Sequence, residues 1–269
     1  MTVLGAIARP NLPPDVVREA ALAGEDAGLD ELWIWEDCFW EGGMSMAAAL
    51  LGSTQRLSVG VGLLPVPLRN VALAAMEIAT VDRLFPGRFV AGLGHGVQEW
   101  MGQAGVRAES PMKLMREYIG ALRPLLAGET VSVSGDYVNL DRIALVWPPT
   151  SPPLLHIGGV GPNSVRVTGE VGDGTILVSD TTIEDLPRIL GLIGEGREAS
   201  GRPGEHQLTV FVSASAGNPR QTAEVVDAWA AAGAHRVVLE PAADDPDPVG
   251  FICFVAADVQ PLVGSSSRD

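Results

Sequence analysis

Short apolar runs alternate along the chain with longer segments in which apolar residues recur about once per helical turn. The stretch LSVGVGLL, at residues 57–64, has the apolar and β-branched character of a buried strand. Residues 13–28 have the helical pattern, because Val16, Val17 and Ala20 fall on one side of a helix. We count eight strand–helix pairs of this kind, which predict an α/β fold, specifically a (β/α)8 TIM barrel.

Glycine and proline residues between the patterns set the element boundaries. The predicted strands are residues 2–8, 31–36, 57–64, 88–92, 154–157, 175–179, 207–214 and 236–240. The predicted helices are residues 13–28, 44–55, 70–84, 98–127, 163–169, 183–200, 221–232 and 249–263. The segment VSVSGDYVNL predicts a small β-hairpin insertion between strands 4 and 5, outside the barrel wall. We expect residues 1–263 to form one domain and residues 264–269 to be a disordered tail.

Composition argues against several classes of partner. A net charge of −15 repels a phosphodiester backbone, and the arginines are scattered, so no nucleic-acid partner is expected. The chain lacks a leader-like start and any apolar run of the ~18 residues that cross a bilayer, which predicts a cytoplasmic location without a membrane partner. Cys38 and Cys253 lie far apart and have no partner at metal-ligand spacing, so neither a disulfide framework nor a zinc site is expected.

In a barrel, the functional side chains follow the C-terminal ends of the strands. WEDCFW, after the second strand, contains Glu36 and Asp37, which form either an acid/base or substrate-orienting pair or a solvated cap. GLGHG follows the fourth strand. HIGGVGPNS follows the fifth, where Pro162, Asn163 and Ser164 open a helix. Backbone amides there could bind phosphate, although glycines also serve tight turns. Two such turns after adjacent strands favour a phosphate-bearing cofactor.

Histidines and tryptophans near the same strand ends extend the candidate site. His95 lies between two glycines, which favours contact with phosphate or substrate, whereas His156 is expected to pack inside its strand. Four tryptophans fall in the same regions: Trp33, Trp35, Trp40 and Trp100. The last two lie beyond the strands and are the better candidates for a wall beside a flat ring, although aromatic residues more often belong to the core.

Several of these segments resemble one enzyme family. RLSVGVGLLPVPLRNVALAAMEIATVDRLFPGRFVAGLGHGVQEW, at residues 56–100, is similar to the most recognisable segment of the bacterial-luciferase-like monooxygenases and their relatives dependent on coenzyme F420. HIGGVGPNSVRVTGEVGDGTILVS, at residues 156–179, resembles their second signature, and GDYVNLD, at residues 135–141, their hairpin insertion. With AGLDELWIWED, the similarity spans nearly the whole chain.

The resemblance implies a TIM barrel, usually a homodimer, that holds FMN or the deazaflavin coenzyme F420 at the strand C-termini. By position, Gly62 and Leu63 correspond to a cis peptide that supports the central ring of the cofactor. One phosphate-contacting loop corresponds to His95 and Gly96, and the other to Gly159, Val160 and Gly161. The chain is also shorter than typical relatives after strands 6 and 7, which indicates a more open pocket or different substrates.

Two departures from the family pattern concern catalysis. Many F420-dependent relatives carry a histidine at the position of Asp37, and some carry a glutamate at that of Val97; neither is present here. The substrate chemistry therefore cannot be carried over. Asp37, with Glu36, is our candidate for proton transfer or substrate orientation.

The sequence leads to a primary prediction and three alternatives. We expect an oxidoreductase that binds coenzyme F420 and transfers hydride to or from a small organic substrate. The first alternative is an FMN-dependent monooxygenase that uses dioxygen. A metal-dependent barrel hydrolase, with Asp37, His95, His156 and Asp180 as ligands, is disfavoured because no paired-histidine motif is present. The last alternative is a non-catalytic flavin-binding protein.

Overall fold

Eight parallel strands form a closed barrel in the computed structural model, which describes residues 2–264. The barrel strands are β1 (Val3–Ile7), β2 (Glu31–Ile34), β3 (Ser58–Pro65), β4 (Phe89–Gly94), β7 (Leu155–Gly158), β8 (Gly174–Leu177), β9 (Gln207–Ser213) and β10 (Arg236–Glu240). The strands neighbour each other in chain order, and β10 pairs with β1 to close the cylinder. The predicted TIM barrel is confirmed.

The predicted hairpin insertion is also confirmed. Strands β5 (Val131–Ser134) and β6 (Asn139–Ile143) form a separate antiparallel sheet between β4 and β7. The Glu117 carboxylate accepts hydrogen bonds from the backbone amides of Tyr137 and Val138 at 2.8 and 3.1 Å. These contacts fix the hairpin turn to the helix that carries Glu117.

The helices surround the barrel. They are α1 (Pro14–Ala27), α2 (Gly43–Ser53), α3 (Val71–Leu84), α4 (Gln98–Gln103), α5 (Pro111–Leu126), α6 (Pro162–Val171), α7 (Leu186–Ser200), α8 (Pro219–Ala231) and α9 (Pro248–Phe254). Asn70 caps α3 by accepting the amide of Ala72 at 2.8 Å. Within residues 2–264, no helix is both long enough and apolar enough to cross a membrane.

Two predicted helices differ from those observed. The helical region predicted at 98–127 is two helices, α4 and α5, because Gly105 has a left-handed backbone with φ of 73° and Pro111 begins a new helix. The helix predicted at 249–263 is α-helical only to Phe254, then forms a π turn over Val255–Val259 and a 3-10 turn over Gln260–Leu262. Apart from Gly264, the predicted tail lies outside the described residues.

One tryptophan fills the middle of the barrel. Trp33 is fully buried, and its ring packs edge-on against Phe211 with ring centroids 5.7 Å apart. A Cβ at Gly60 would overlap this ring, and one at Gly62 would lie 2.8 Å from the Phe211 ring. The glycines of β3 therefore make room for aromatic side chains from other strands, which close the barrel floor below the strand ends.

Candidate functional site

A cavity of about 660 Å³ opens at the C-terminal ends of the barrel strands. This volume lies in the range of pockets that bind cofactors and small substrates. The nine residues that the sequence nominated all line this cavity: Glu36, Asp37, Gly62, Leu63, His95, Gly96, Gly159, Val160 and Gly161. The fold therefore brings segments that are more than 100 positions apart in sequence to one place.

The two glycine-rich turns lie side by side on the same rim, because β4 pairs with β7. Gly96 has a φ of 69°, a left-handed backbone that disfavours side chains. Gly159 is constrained differently. A Cβ there would lie 2.8 Å from the Ser164 side chain and 2.9 Å from its carbonyl carbon. Glycine at position 159 allows the turn to approach the start of α6 closely.

The N-terminus of α6 presents backbone donors that have no acceptor among residues 2–264. The first amide that donates within this helix is that of Val165, to Gly161 O at 2.9 Å. Pro162 has no N–H, and the amides of Asn163 and Ser164 precede the helical ladder. A Cβ at Gly161 would meet no atom within 4 Å. Open space therefore lies beside unpaired amides at the positive end of a helix dipole, a donor set that suits a phosphate.

His95 is oriented by its own loop. Its Nδ1 lies 2.8 Å from Gly96 O, which can only accept, so Nδ1 carries a proton. The side-chain amide of Gln98 donates to His95 O and Gly96 O, both at 3.2 Å. The remaining ring nitrogen, Nε2, accepts a hydrogen bond when the ring is neutral and donates to an anion only when the ring is protonated.

Leu63 forms the apolar bed of the cavity. The Gly62–Leu63 peptide bond is cis, as the resemblance implied. The Leu63 side chain lies over two glycines at the ends of neighbouring strands: a Cβ at Gly94 would overlap it, and one at Gly158 would lie 2.6 Å from its Cδ2. Ile176 completes this surface. An apolar bed beside a turn whose amides suit a phosphate fits a tricyclic ring with a phosphate-bearing side chain.

Glu36 is held by structural partners. Its Oε1 and Oε2 contact Nη1 and Nη2 of Arg69 at 2.5 and 3.0 Å, and Oε2 accepts the Gly43 amide at 2.6 Å. The backbone amide of Glu36 donates to Leu63 O at 3.2 Å. These contacts tie β2, α2 and the loop before α3 together behind the cavity. The carboxylate is fully engaged, which favours a structural role and leaves Asp37 as the candidate acid or base.

Asp37 lies beside a cationic residue that the sequence patterns did not indicate, Arg9. Burial raises the pKa of the Asp37 carboxyl group, and the Arg9 charge opposes this rise. Arg9 forms an ion pair with Glu240, and its guanidinium stands 5.4 Å from the centre of the Trp35 ring. Burial likewise raises the pKa of Glu240, which also accepts the Ser179 hydroxyl.

The structure places two tryptophans in the cavity, and one of them is not among the two that the sequence favoured. Trp35 and Trp100 line the cavity, Trp33 belongs to the barrel floor, and Trp40 does not line the cavity and is 58% exposed. Arg9 follows β1 and Glu240 is the last residue of β10, so a search of the strand C-termini could have found them. Each stands alone in its segment, however, without a glycine turn or a neighbouring carboxylate to mark it.

His156 lies below the cavity, inside the barrel. It is 1% exposed, and burial, reinforced by the nearby Arg236, lowers its pKa to about 3. Among residues 2–264 there is no group of three or more His, Cys, Asp or Glu side chains that could hold a metal. The four ligands of the hydrolase alternative, which include His95 and Asp180, therefore do not form a metal site in the described part of the chain.

Known proteins resemble this chain in sequence and in fold. The family model for luciferase-like monooxygenases matches residues 2–250. The 5,10-methylenetetrahydromethanopterin reductase of Methanolobus tindarius is 28% identical over 242 residues, covering 88% of this chain and 74% of the relative. The F420-dependent glucose-6-phosphate dehydrogenase of Kineococcus radiotolerans is 30% identical over 235 residues, covering 81% and 69%. An F420-dependent secondary alcohol dehydrogenase, solved with an F420–acetone adduct, superposes with a TM-score of 0.86 at 19% identity, covering 100% and 99%.

Proposed function

The chain belongs to the luciferase-like monooxygenase family, and from this premise we propose that it is an oxidoreductase that binds coenzyme F420 at the strand ends. The proposed reaction is hydride transfer to or from a small organic substrate. Two relatives, a pterin reductase and a sugar phosphate dehydrogenase, are named for different redox reactions. Their names support the proposal that this chain is an oxidoreductase. The second of these is F420-dependent by name, which supports the deazaflavin over FMN.

The observation that carries the proposal is the pairing of an apolar bed with an anion-binding turn in one cavity. Leu63 would support the ring system of the cofactor from below. The amides of the 159–161 turn and the first turn of α6 would hold its phosphate, and His95 would contribute when its ring is protonated. When bound, the cofactor supplies the hydride chemistry, while the protein binds, orients and excludes water.

Asp37 is the residue that we propose for proton transfer. Oxidation of an alcohol or reduction of a carbonyl requires a group that takes or gives the oxygen-bound proton. Asp37 lines the cavity, lies partly buried and has a raised pKa, so its carboxyl group can exchange a proton nearer to neutral pH than an exposed aspartate. Glu36 lacks this freedom because Arg69 and the Gly43 amide occupy its oxygens.

The cofactor assignment is tested by titrating purified protein with coenzyme F420 and, separately, with FMN, and following fluorescence quenching. We expect F420 to bind more tightly. Tighter binding of FMN would replace the primary proposal with the monooxygenase alternative. Binding of neither would refute the family's cofactor site in this chain.

Two glycine substitutions locate the phosphate. Gly161→Ala is compatible with the backbone, because φ is −78° and a Cβ there meets no atom within 4 Å. We therefore expect normal folding and a cofactor affinity lowered about ten-fold by crowding the phosphate. Gly191→Ala in α7 is the matched control, since a Cβ there also meets nothing within 4 Å. Unchanged affinity in Gly161→Ala would show that the phosphate binds elsewhere.

We also propose that the chain forms a homodimer through the outer face of α3. Leu73, Met76 and Leu84 on this helix are 46%, 58% and 65% exposed, an apolar stripe that water contacts in the isolated chain. Light scattering after size exclusion should give the mass of two chains for the native protein and of one chain for Met76→Glu. Leu190→Glu, at a 46% exposed position of α7, is the control that should remain dimeric. A monomeric native protein would refute the proposal.

A further inference from the structure

The wall of the cavity opposite the glycine turns is built around Arg9. In the barrel, β10 and β1 lie across the cylinder from β4 and β7. Arg9 Nε donates to Pro241 O at 2.9 Å, and Nη2 contacts the Glu240 carboxylate. The guanidinium also lies over Trp35, and its Cζ atom is 5.4 Å from the ring centre. These contacts fix the plane of the guanidinium at the ends of three strands.

The clamped side chain keeps part of its donor capacity. A guanidinium has five N–H groups, and among the described residues no acceptor contacts Nη1 of Arg9. The side chain is 23% exposed, and Arg9 lines the cavity. Since Nε and one edge of Nη2 are occupied, the free N–H groups form an edge that can donate to a ligand oxygen.

The net charge around the free N–H groups of Arg9 is not positive. Arg9 is the only lysine or arginine among the described residues that line the cavity, and Glu240 pairs with it. Asp37 and Asp180 line the cavity too, and the charge of Asp180 acts on Glu240. A carboxylate or phosphate that approached Arg9 would therefore meet more negative than positive charge at short range.

We propose that Arg9 and Glu240 together determine substrate specificity: Arg9 donates hydrogen bonds to an uncharged oxygen of the substrate, whereas Glu240 cancels the arginine charge and excludes anions. The substrates that fit are alcohols, aldehydes, ketones or amides. Carboxylates and phosphate esters are disfavoured on this wall. The inference rests on the proposed function in one respect, namely that the opposite wall is the one taken by the cofactor.

The two walls thus have opposite preferences. The turn at Gly159–Gly161 offers amides at a helix N-terminus and favours an anion. The Arg9 wall offers one neutralised guanidinium with hydroxyl groups of Ser179 and Ser213 beside it. A cofactor bound with its phosphate at this turn would leave the space beside Arg9 open. A neutral substrate could bind in that space. The repulsive element that gives specificity is Glu240, because it removes the net charge that an anion would need.

Benzamide and benzoate are suitable probes, because they are planar, similar in size and differ in charge. Their dissociation constants are measured by titration calorimetry on the F420-loaded protein and on the cofactor-free protein. We expect the native protein to bind benzamide at least about ten-fold more tightly than benzoate. A ratio of this size corresponds to the free energy of one hydrogen bond to a charged group. Glu240→Gln should tighten benzoate binding about ten-fold and leave benzamide nearly unchanged, because Arg9 then keeps its charge.

Arg9→Gln should weaken benzamide binding without improving that of benzoate. Glu224→Gln, at an exposed position of α8, changes the net charge as Glu240→Gln does and should leave both constants as in the native protein. Circular dichroism checks that each variant is folded. If Arg9→Gln does not fold, the benzoate affinity of Glu240→Gln decides the question alone.

In the F420-loaded protein, an unchanged ratio of the two affinities in Glu240→Gln, a native preference for benzoate, or binding of neither probe would overturn the inference. Failure of the proposed function gives a different result. In that case F420 does not bind. The difference in benzoate affinity between native protein and Glu240→Gln persists in the cofactor-free form, because any benzoate binding at the glycine turns is the same in both proteins.

Discussion

Replacing His156 should make the fold less sensitive to acid. The side chain is 1% exposed, and its Nδ1 has no hydrogen-bond partner among the described residues. A Cβ at Gly174 would lie 2.5 Å from this nitrogen, so the neighbouring strand packs directly on the ring. Burial, with Arg236 nearby, lowers the pKa to about 3 from the ordinary value of 6.5. The ring is therefore neutral in the folded protein at any pH above about 4.

The magnitude follows from the difference between the two pKa values. Between pH 6.5 and pH 3 the unfolded chain binds a proton at His156 that the folded chain does not, so the free energy of unfolding falls as the pH falls. The slope reaches about 1.4 kcal/mol per pH unit, and the loss between pH 6.5 and about pH 4.5 is about 2 kcal/mol from this residue.

The assay is urea unfolding of the native protein and of His156→Leu at several pH values between about 4.5 and 7.5. Leucine has a similar volume and does not titrate, and His156→Gln serves as a second variant. The difference in unfolding free energy between native protein and variant should change by about 2 kcal/mol over this range, with the variant losing less stability in acid. Parallel pH profiles would show that the buried ring is not held neutral and would refute the reasoning.

Two further predictions concern the loop after β2 and the bed of the cavity. Both carboxylate oxygens of Glu41 are buried and have no partner in the described part of the chain. Burial raises the pKa of Glu41 to about 7, so stability should fall as the pH rises from 4.5 to 7. Because the residue is partly exposed, the free energy of unfolding of Glu41→Gln should exceed that of the native protein by only about 1–2 kcal/mol at pH 8 and should equal it at pH 4.5. Urea unfolding measures both values, and equal stabilities at pH 8 would contradict this prediction. Gly158→Ala should displace Leu63 and weaken F420 binding at least about ten-fold while the melting temperature stays within a few degrees; native affinity would show that Leu63 does not support the ring.

The sequence determined the barrel and the position of the candidate site within it. Strand and helix patterns are local, since apolar periodicity and glycine or proline boundaries act over a few residues. The order of the eight strands then follows from short connections between neighbours. Because parallel strands in a barrel all end on one rim, the GLGHG and HIGGVGPNS turns were placed beside each other without a structure, and the α6 N-terminus with them.

Tertiary structure decided which of the candidate side chains are free to act. Glu36 and Asp37 are adjacent and equally acidic in sequence, yet only Glu36 is bound by Arg69, 33 positions away. The Arg9–Glu240 pair joins residues 231 positions apart and exists because β10 closes on β1. The choice between Trp35 and Trp40 likewise depends on which ring the barrel turns toward the cavity. Hydrogen bonds and ion pairs across a closed sheet depend on strand register and side-chain direction, which local periodicity does not encode.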